Sequence, residues 1–230
     1  MNTTWKVELH SHTCYSRDSL IALEAVIRTC KQRGIDRIAI TDHNTTEGAE
    51  ALAKLAPDLI IVGEEIMTTQ GEILAFFVRE SIPPGLTPDE TIRRLRVQGA
   101  VISVSHPYDR LRKGAWEESE LLKIVDQVDA LEVFNSRCLY AEDNAKALDF
   151  ARAHGKPFTV GSDGHITYEY GHATLTMQPF EGPGDFYESL KKASAVTTLS
   201  PSWVHGFSSY AKYMRKLGLS KMPNKSGGWG

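Results

Sequence analysis

Two periods alternate along this chain. Short apolar runs rich in Val, Ile and Leu lie near residues 5–9, 36–41, 58–63, 72–78, 100–104, 129–134 and 157–161. Their length and composition predict buried strands. Between several of them the apolar spacing widens to that of an amphipathic helix. From Leu20 to Arg33 the apolar positions are Leu23, Val26, Ile27 and Cys30, with Gly34 placed to end the helix. Thr87-Pro88-Asp89-Glu90 opens a second helix with an N-cap, a proline at the first position and acidic residues in the first turn, and Gly99 closes it. Tyr140 to His154, stopped by Gly155, predicts a third helix, and residues 183–193 a fourth.

Alternating strands and helices predict an α/β chain folded as a parallel or mostly parallel barrel. The runs at 58–63 and 72–78 are joined by a segment too short for a crossover helix, so they predict a hairpin and an irregular barrel. No linker divides the chain. Residues 1–199 read as one barrel domain, 200–225 as an aromatic, basic helical extension packed on it, and 226–230 as a disordered tail.

Composition narrows the partners. With 230 residues, 41% of them apolar, the chain buries a sizeable core. Its basic residues are scattered and its net charge is -3, which argues against a stable nucleic-acid complex. Cys14, Cys30 and Cys138 are odd in number and irregularly spaced, as expected in a reducing cytoplasm. The first residues lack the cationic and apolar regions of a secretory leader, and no apolar stretch reaches the roughly 20 residues of a membrane span. The expected location is therefore cytoplasmic, away from any membrane.

Chemistry-bearing residues follow the apolar runs. His10 and His12, two apart on a strand, project from one face, and Asp163 and His165 repeat the spacing near the last strand. Between them come Asp18, His43, Glu65 and His106, each in or just after a predicted strand end or the following loop. Imidazoles and carboxylates together suit Mn, Zn or Fe, and this many donors exceed what one ion needs. Roughly two or three divalent ions would generate hydroxide near neutral pH and neutralise a phosphoryl group, so hydrolysis of a phosphoester is the inferred chemistry.

The stretches His10-Ser11-His12-Thr13, Tyr15-Ser16-Arg17-Asp18, Thr41-Asp42-His43-Asn44, Gly63-Glu64-Glu65-Ile66, Ser105-His106-Pro107 and Gly161-Ser162-Asp163-Gly164-His165 resemble the polymerase and histidinol phosphatase (PHP) family of metal-dependent phosphoesterases. The resemblance spans about residues 5–170. It implies a distorted seven-stranded, TIM-like (β/α) barrel and a trinuclear site. By that likeness His10, His12, Glu65 and Asp163 would hold one ion. Glu65 would bridge to a second, shared with His106, and Asp18, His43 and His165 would hold the third. Family members often carry a histidine where this chain has Glu72. Either Glu72 takes its place or the second ion is held less tightly.

The implied catalyst is a metal-bridging hydroxide attacking a small phosphomonoester, a nucleotide or a sugar phosphate, with Glu65, His106 and His165 as the catalytic side chains. Asn135, Arg137 and Arg110 are candidates for binding the substrate, the arginines as phosphate forks. Asp42 is expected to orient an imidazole. Strand alternation allows one of Glu64 and Glu65 to face the site, and the family pattern selects Glu65. Cys14, His154, His172 and His205 read as packing. The alternatives are an amidohydrolase-type hydrolase, which shares the opening His-x-His but typically has a bridging lysine, and a noncatalytic metal- or nucleotide-binding protein.

Overall fold

In the computed structural model, which describes residues 3–221 and 223, the first seven strands fall on the apolar runs. They are β1 (Trp5–Glu8), β2 (Arg37–Ile40), β3 (Ile60–Met67), β4 (Glu72–Phe76), β5 (Val101–Val104), β6 (Ala130–Asn135) and β7 (Phe158–Gly161). Two more, β8 (Ala173–Met177) and β9 (Ser194–Thr197), complete one nine-stranded sheet in the order β7-β6-β5-β4-β3-β2-β1-β8-β9. The expected seven strands are thus corrected to nine. The additional pair has a physical role: β8 runs antiparallel to β1, setting Val7 opposite Leu175, and β9 covers the other edge of β8.

The sheet nearly closes into a distorted β/α barrel. Past Glu8 the chain stays extended, and Ser11 forms a parallel bridge with Gly164. The Asp163 N–H donates to the His10 carbonyl (2.8 Å) and the His12 N–H to the Gly164 carbonyl (3.0 Å). At this end β1 therefore abuts the continuation of β7. The predicted hairpin is present: β4 is antiparallel to both β3 and β5, with Glu65 opposite Leu74 and Met67 opposite Glu72.

The helices are α1 (Leu23–Arg33), α2 (Glu47–Leu55), α3 (Pro88–Gln98), α4 (Glu118–Ile124), α5 (Ala141–Ala153), α6 (Pro183–Leu190) and α7 (Val204–Lys216). Helix α3 is capped as predicted: the Thr87 side chain accepts from the Glu90 N–H, and Gly99 takes the left-handed conformation at φ 76°. Short α2 and α4 are additions to the predicted set. Alternation along β1 sends Val7 and Leu9 into the main core with Ile73, Leu74 and Leu131, while Val26, Cys30, Ile38 and Leu52 form a second cluster around α1 and α2.

Within the expected extension at 200–225, α7 is fastened to the loops at the barrel mouth. Arg137 donates to the Ser208 hydroxyl (3.0 Å), and Nη2 of Arg215 donates to the carbonyls of Cys14 and Ser19 (both 2.7 Å). The expected tail at 226–230 lies outside the described residues. Among the described residues no helix is long and apolar enough to cross a membrane.

Candidate metal centre

The same alternation that buries Val7 and Leu9 turns Glu8, His10 and His12 to the opposite face. His10 and His12 are fully buried there. Nε2 of His10 lies 3.3 Å from Glu65 Oε1 and 3.6 Å from Asp163 Oδ1. Nε2 of His12 lies 3.4 Å from Glu65 Oε2 and 3.1 Å from the same Asp163 oxygen. Donors held about 2.0–2.2 Å from one tetrahedral ion are spaced about 3.3–3.6 Å apart. Direct hydrogen bonding of so many acceptors is not the better explanation, because Nε2 of both histidines, Oε2 of Glu65 and Oδ1 of Asp163 are buried with no hydrogen-bond partner. The donor set fits a cation.

The remaining ligand candidates converge on the same place. His106 Nε2 lies 3.1 Å from Glu65 Oε1 and 3.4 Å from Glu72 Oε2. His43 faces both ways, with Nδ1 2.9 Å from Glu65 Oε2 and Nε2 3.5 Å from Asp18 Oδ1. Nε2 of His165 lies 3.2 Å from that Asp18 oxygen. Glu65 is thus the hub, meeting His10, His12, His43 and His106. Glu72 stands beside it with its carboxylate between His43 and His106, which suits the replacement of a histidine ligand. Gly114 makes room for this: a Cβ there would collide with the Glu72 carboxylate. Asp18 precedes α1 by several residues, so it does not cap that helix.

Other side chains fix the imidazoles. His10 donates from Nδ1 to Glu132 Oε1 (2.9 Å), and His165 from Nδ1 to the Asp163 carbonyl (2.7 Å). Asp42 accepts from the Thr13 N–H (2.7 Å), the Thr13 hydroxyl (2.6 Å) and the Ser16 hydroxyl (2.5 Å). With its proton spent on Asp42, Ser16 Oγ accepts from His12 Nδ1 at 3.1 Å. In all three histidines Nδ1 is committed to a protein partner, which leaves Nε2, the nitrogen that faces the carboxylates, as the one a metal would take. His106 and Asp163 also hold left-handed backbones, at φ 21° and 52°. Such conformations cost about 1–3 kcal/mol each and persist where surrounding structure enforces them.

The electrostatics follow from this crowding. Burial opposes ionisation of Glu65, but the neighbouring His10 and His43 imidazoles and the His106 hydrogen bond hold its carboxyl well below the usual range. Burial likewise opposes ionisation of Asp163, and Arg112 and His10 overcome it. Burial lowers His12 well below its ordinary value, helped by His165 and His43, so this imidazole is neutral. His10 is raised well above its ordinary value: burial opposes this, and Glu65, Glu132 and Asp163 prevail. Burial pushes the Cys14 thiol up to about 11, which agrees with a packing role.

The substrate candidates are placed differently from expectation. Asn135 is fully buried, and its amide donates to Glu132 (3.2 Å) and Asp163 (3.3 Å), so it positions the ligand Asp163 and the Glu132 carboxylate behind His10. Arg110 is committed to Asp143, from Nε at 2.9 Å and Nη2 at 2.5 Å. Arg137 is buried, lies 3.4 Å from Glu169 and ties down α7. The guanidinium at the cluster belongs to Arg112, which binds the outer oxygen of Asp163 and lies 3.4 Å from Asp109. Sequence reasoning missed Arg112 and Glu132. Glu132 carried a signal, a lone carboxylate inside the apolar run Ala130-Leu131-Glu132-Val133. Arg112 carried none, being one of two arginines in a loop. Of the histidines read as packing, His154 lies on the Phe150 ring and His172 contacts Ser200, both outside the cluster.

Comparisons agree with this architecture. The PHP domain matches residues 8–134, and a PHP-associated segment matches 141–195. An uncharacterized protein of Methanocaldococcus jannaschii, MJ0417, is 40% identical over 188 residues, covering 78% of this chain and 74% of that protein. A Bacteroides vulgatus two-domain protein described as containing a predicted PHP-like metal-dependent phosphoesterase shares the fold at TM-score 0.70 and 19% identity, over 85% of this chain and 65% of that one. The lesion-specific endonuclease PfuEndoQ of Pyrococcus furiosus shares it at TM-score 0.59 and 15% identity, over 82% of this chain and 56% of that one. With the matched segment running from the first histidine strand through β6, and with the ligand set gathered at one barrel mouth, this chain belongs to the PHP domain family.

Proposed function

We propose that this chain is a metal-dependent phosphoesterase that removes phosphate from a small phosphomonoester. The observation that carries the reading is the convergence on Glu65 of buried histidines whose Nε2 atoms face ligand carboxylates without a hydrogen-bond partner. His10, His12, Glu65 and Asp163 would hold one ion, Glu65, Glu72 and His106 a second, and Asp18, His43 and His165 a third, with His43 within reach of the second as well. When bound, such ions make water reactive near neutral pH and neutralise phosphoryl oxygens.

The chain's own residues supply the rest. Glu132 and the Asp42–Ser16 pair hold His10 and His12 in the correct tautomer. Arg112, about a quarter exposed at 23%, is held by Asp163 through Nη2 and by Asp109 at Nε, and Nη1 is the nitrogen it has left to meet a phosphoryl oxygen. His165, held through Nδ1 at the Asp163 carbonyl, keeps Nε2 directed at Asp18 and would serve as a ligand rather than a proton donor. Other chains with this fold have other activities, so substrate release is the deciding assay. Purified protein supplied with Mn²⁺ is expected to release phosphate from sugar phosphates or nucleotides, and Arg112→Met is expected to lose about tenfold or more in kcat/KM. Hydrolysis of amides or lactones with no phosphate release would overturn the proposal.

A further inference from the structure

Beside the cluster lies a cavity of about 580 Å³ lined by Arg17, Asp18, Lys212, Arg215 and Lys216. Four cations meet here in a chain whose net charge is -3. The one carboxylate present is shared: Asp18 Oδ1 faces His165 and His43, while Oδ2 lies 3.1 Å from Lys212 Nζ. Among the described residues Arg17, Arg215 and Lys216 form no ion pair. Arg215 is oriented by the two carbonyls that Nη2 reaches, which leaves Nε and Nη1 without a partner. Like charges held together without counter-charge repel, unless an anion occupies the space between them.

We propose that this cavity is a second anion site, which selects substrates bearing a further phosphate or carboxylate away from the scissile phosphomonoester. The inference rests on the phosphoesterase reading and names the class of molecule acted on. Asp18 joins the two places, with one oxygen at the ion cluster and the other at the cavity wall. Helix α7 supplies three of the four cations, and Arg137 and Arg215 fasten it to the loops around the cluster. The site is therefore built before the ligand arrives, which reduces the ordering cost of binding.

The test uses the full chain with Mn²⁺ and a matched pair, glucose 6-phosphate and glucose 1,6-bisphosphate. The bisphosphate is expected to have the higher kcat/KM. The bisphosphate-to-monophosphate ratio is expected to fall about tenfold in an Arg17→Gln/Lys216→Gln double variant. Both positions are exposed, so the fold is retained. A second measurement is independent of turnover: chelator-treated protein is expected to bind inorganic phosphate in calorimetry, and the double variant to bind it at least about tenfold more weakly. An unchanged ratio with phosphate release intact overturns the second anion site, and so does equal phosphate binding by both proteins. A preference for a single-stranded oligonucleotide over the bisphosphate overturns the small-molecule assignment. Absence of phosphate release from every substrate sinks the phosphoesterase reading alone, since calorimetry still decides whether the cavity binds anions.

Discussion

Replacing Glu132 by glutamine tests whether the carboxylate behind His10 matters to metal binding. Glu132 is 1% exposed and accepts from His10 Nδ1 (2.9 Å), the His106 N–H (2.9 Å) and the Asn135 amide (3.2 Å). Glutamine preserves the shape and removes the charge. Its amide oxygen can keep one set of donors, but its NH₂ then confronts the other. The His10 contact is a charge-assisted hydrogen bond, a class worth about 1.5–3 kcal/mol. Expressed as affinity, that is roughly 10- to 150-fold, in line with the roughly 10- to 100-fold cost typical of groups that orient a ligating histidine. The assay is competition for Zn²⁺ against a chromogenic chelator, with circular dichroism as the check on folding. Weakening within that range is expected. A folded Glu132→Gln protein within twofold of wild-type affinity would refute the argument that Glu132 orients His10 for metal.

Gly161→Ala would drive a Cβ into His10 and the Glu132 carboxylate; about 1–3 kcal/mol of stability should be lost in thermal melts, as for overpacked cores. Burial raises the Glu64 carboxyl to about 7 against hydrogen bonds from Ser81 and Ile82. The folded state therefore holds a proton that the unfolded state releases, so this contribution is present at low pH and is lost as pH rises from about 4.5 to 7. Glu64→Gln should flatten that slope in urea titrations and gain at most about 3 kcal/mol at pH 8. His43 is raised to about 10, burial opposing and Glu65 prevailing, so a metal must displace its proton. Calorimetry in buffers of different ionisation enthalpy should record proton release on metal binding, and affinity should fall as pH is lowered.

Most of the ligands were legible because they follow an apolar run, and the barrel places the carboxyl ends of its strands at one mouth. Glu65 was recovered in this way, whereas Asp18, 47 positions earlier in Tyr15-Ser16-Arg17-Asp18, was recovered through the likeness of its motif to the PHP family. What the sequence did not reveal depends on side-chain direction. Arg110 and Arg112 share one loop, and only the turn after His106 decides that Arg112 reaches Asp163 while Arg110 swings out to Asp143. Strand β9 escaped notice because Ser194–Thr197 is exposed along its whole length and so lacks any alternation. Strand β8 did carry a signal in buried Ala173, Leu175 and Met177, but buried Thr174 breaks the polar-out half of the pattern.

The central claim is that Glu65 joins separate parts of the chain around bound cations. Metal content per chain, measured by elemental analysis on wild type and Glu65→Ala after equilibration with excess Mn²⁺ and desalting, tests it most directly. The expected result is about two or three ions in the wild type and the loss of at least one in the variant, with the fold retained by circular dichroism. A wild type without metal, or a Glu65→Ala protein with the full complement, would contradict the account.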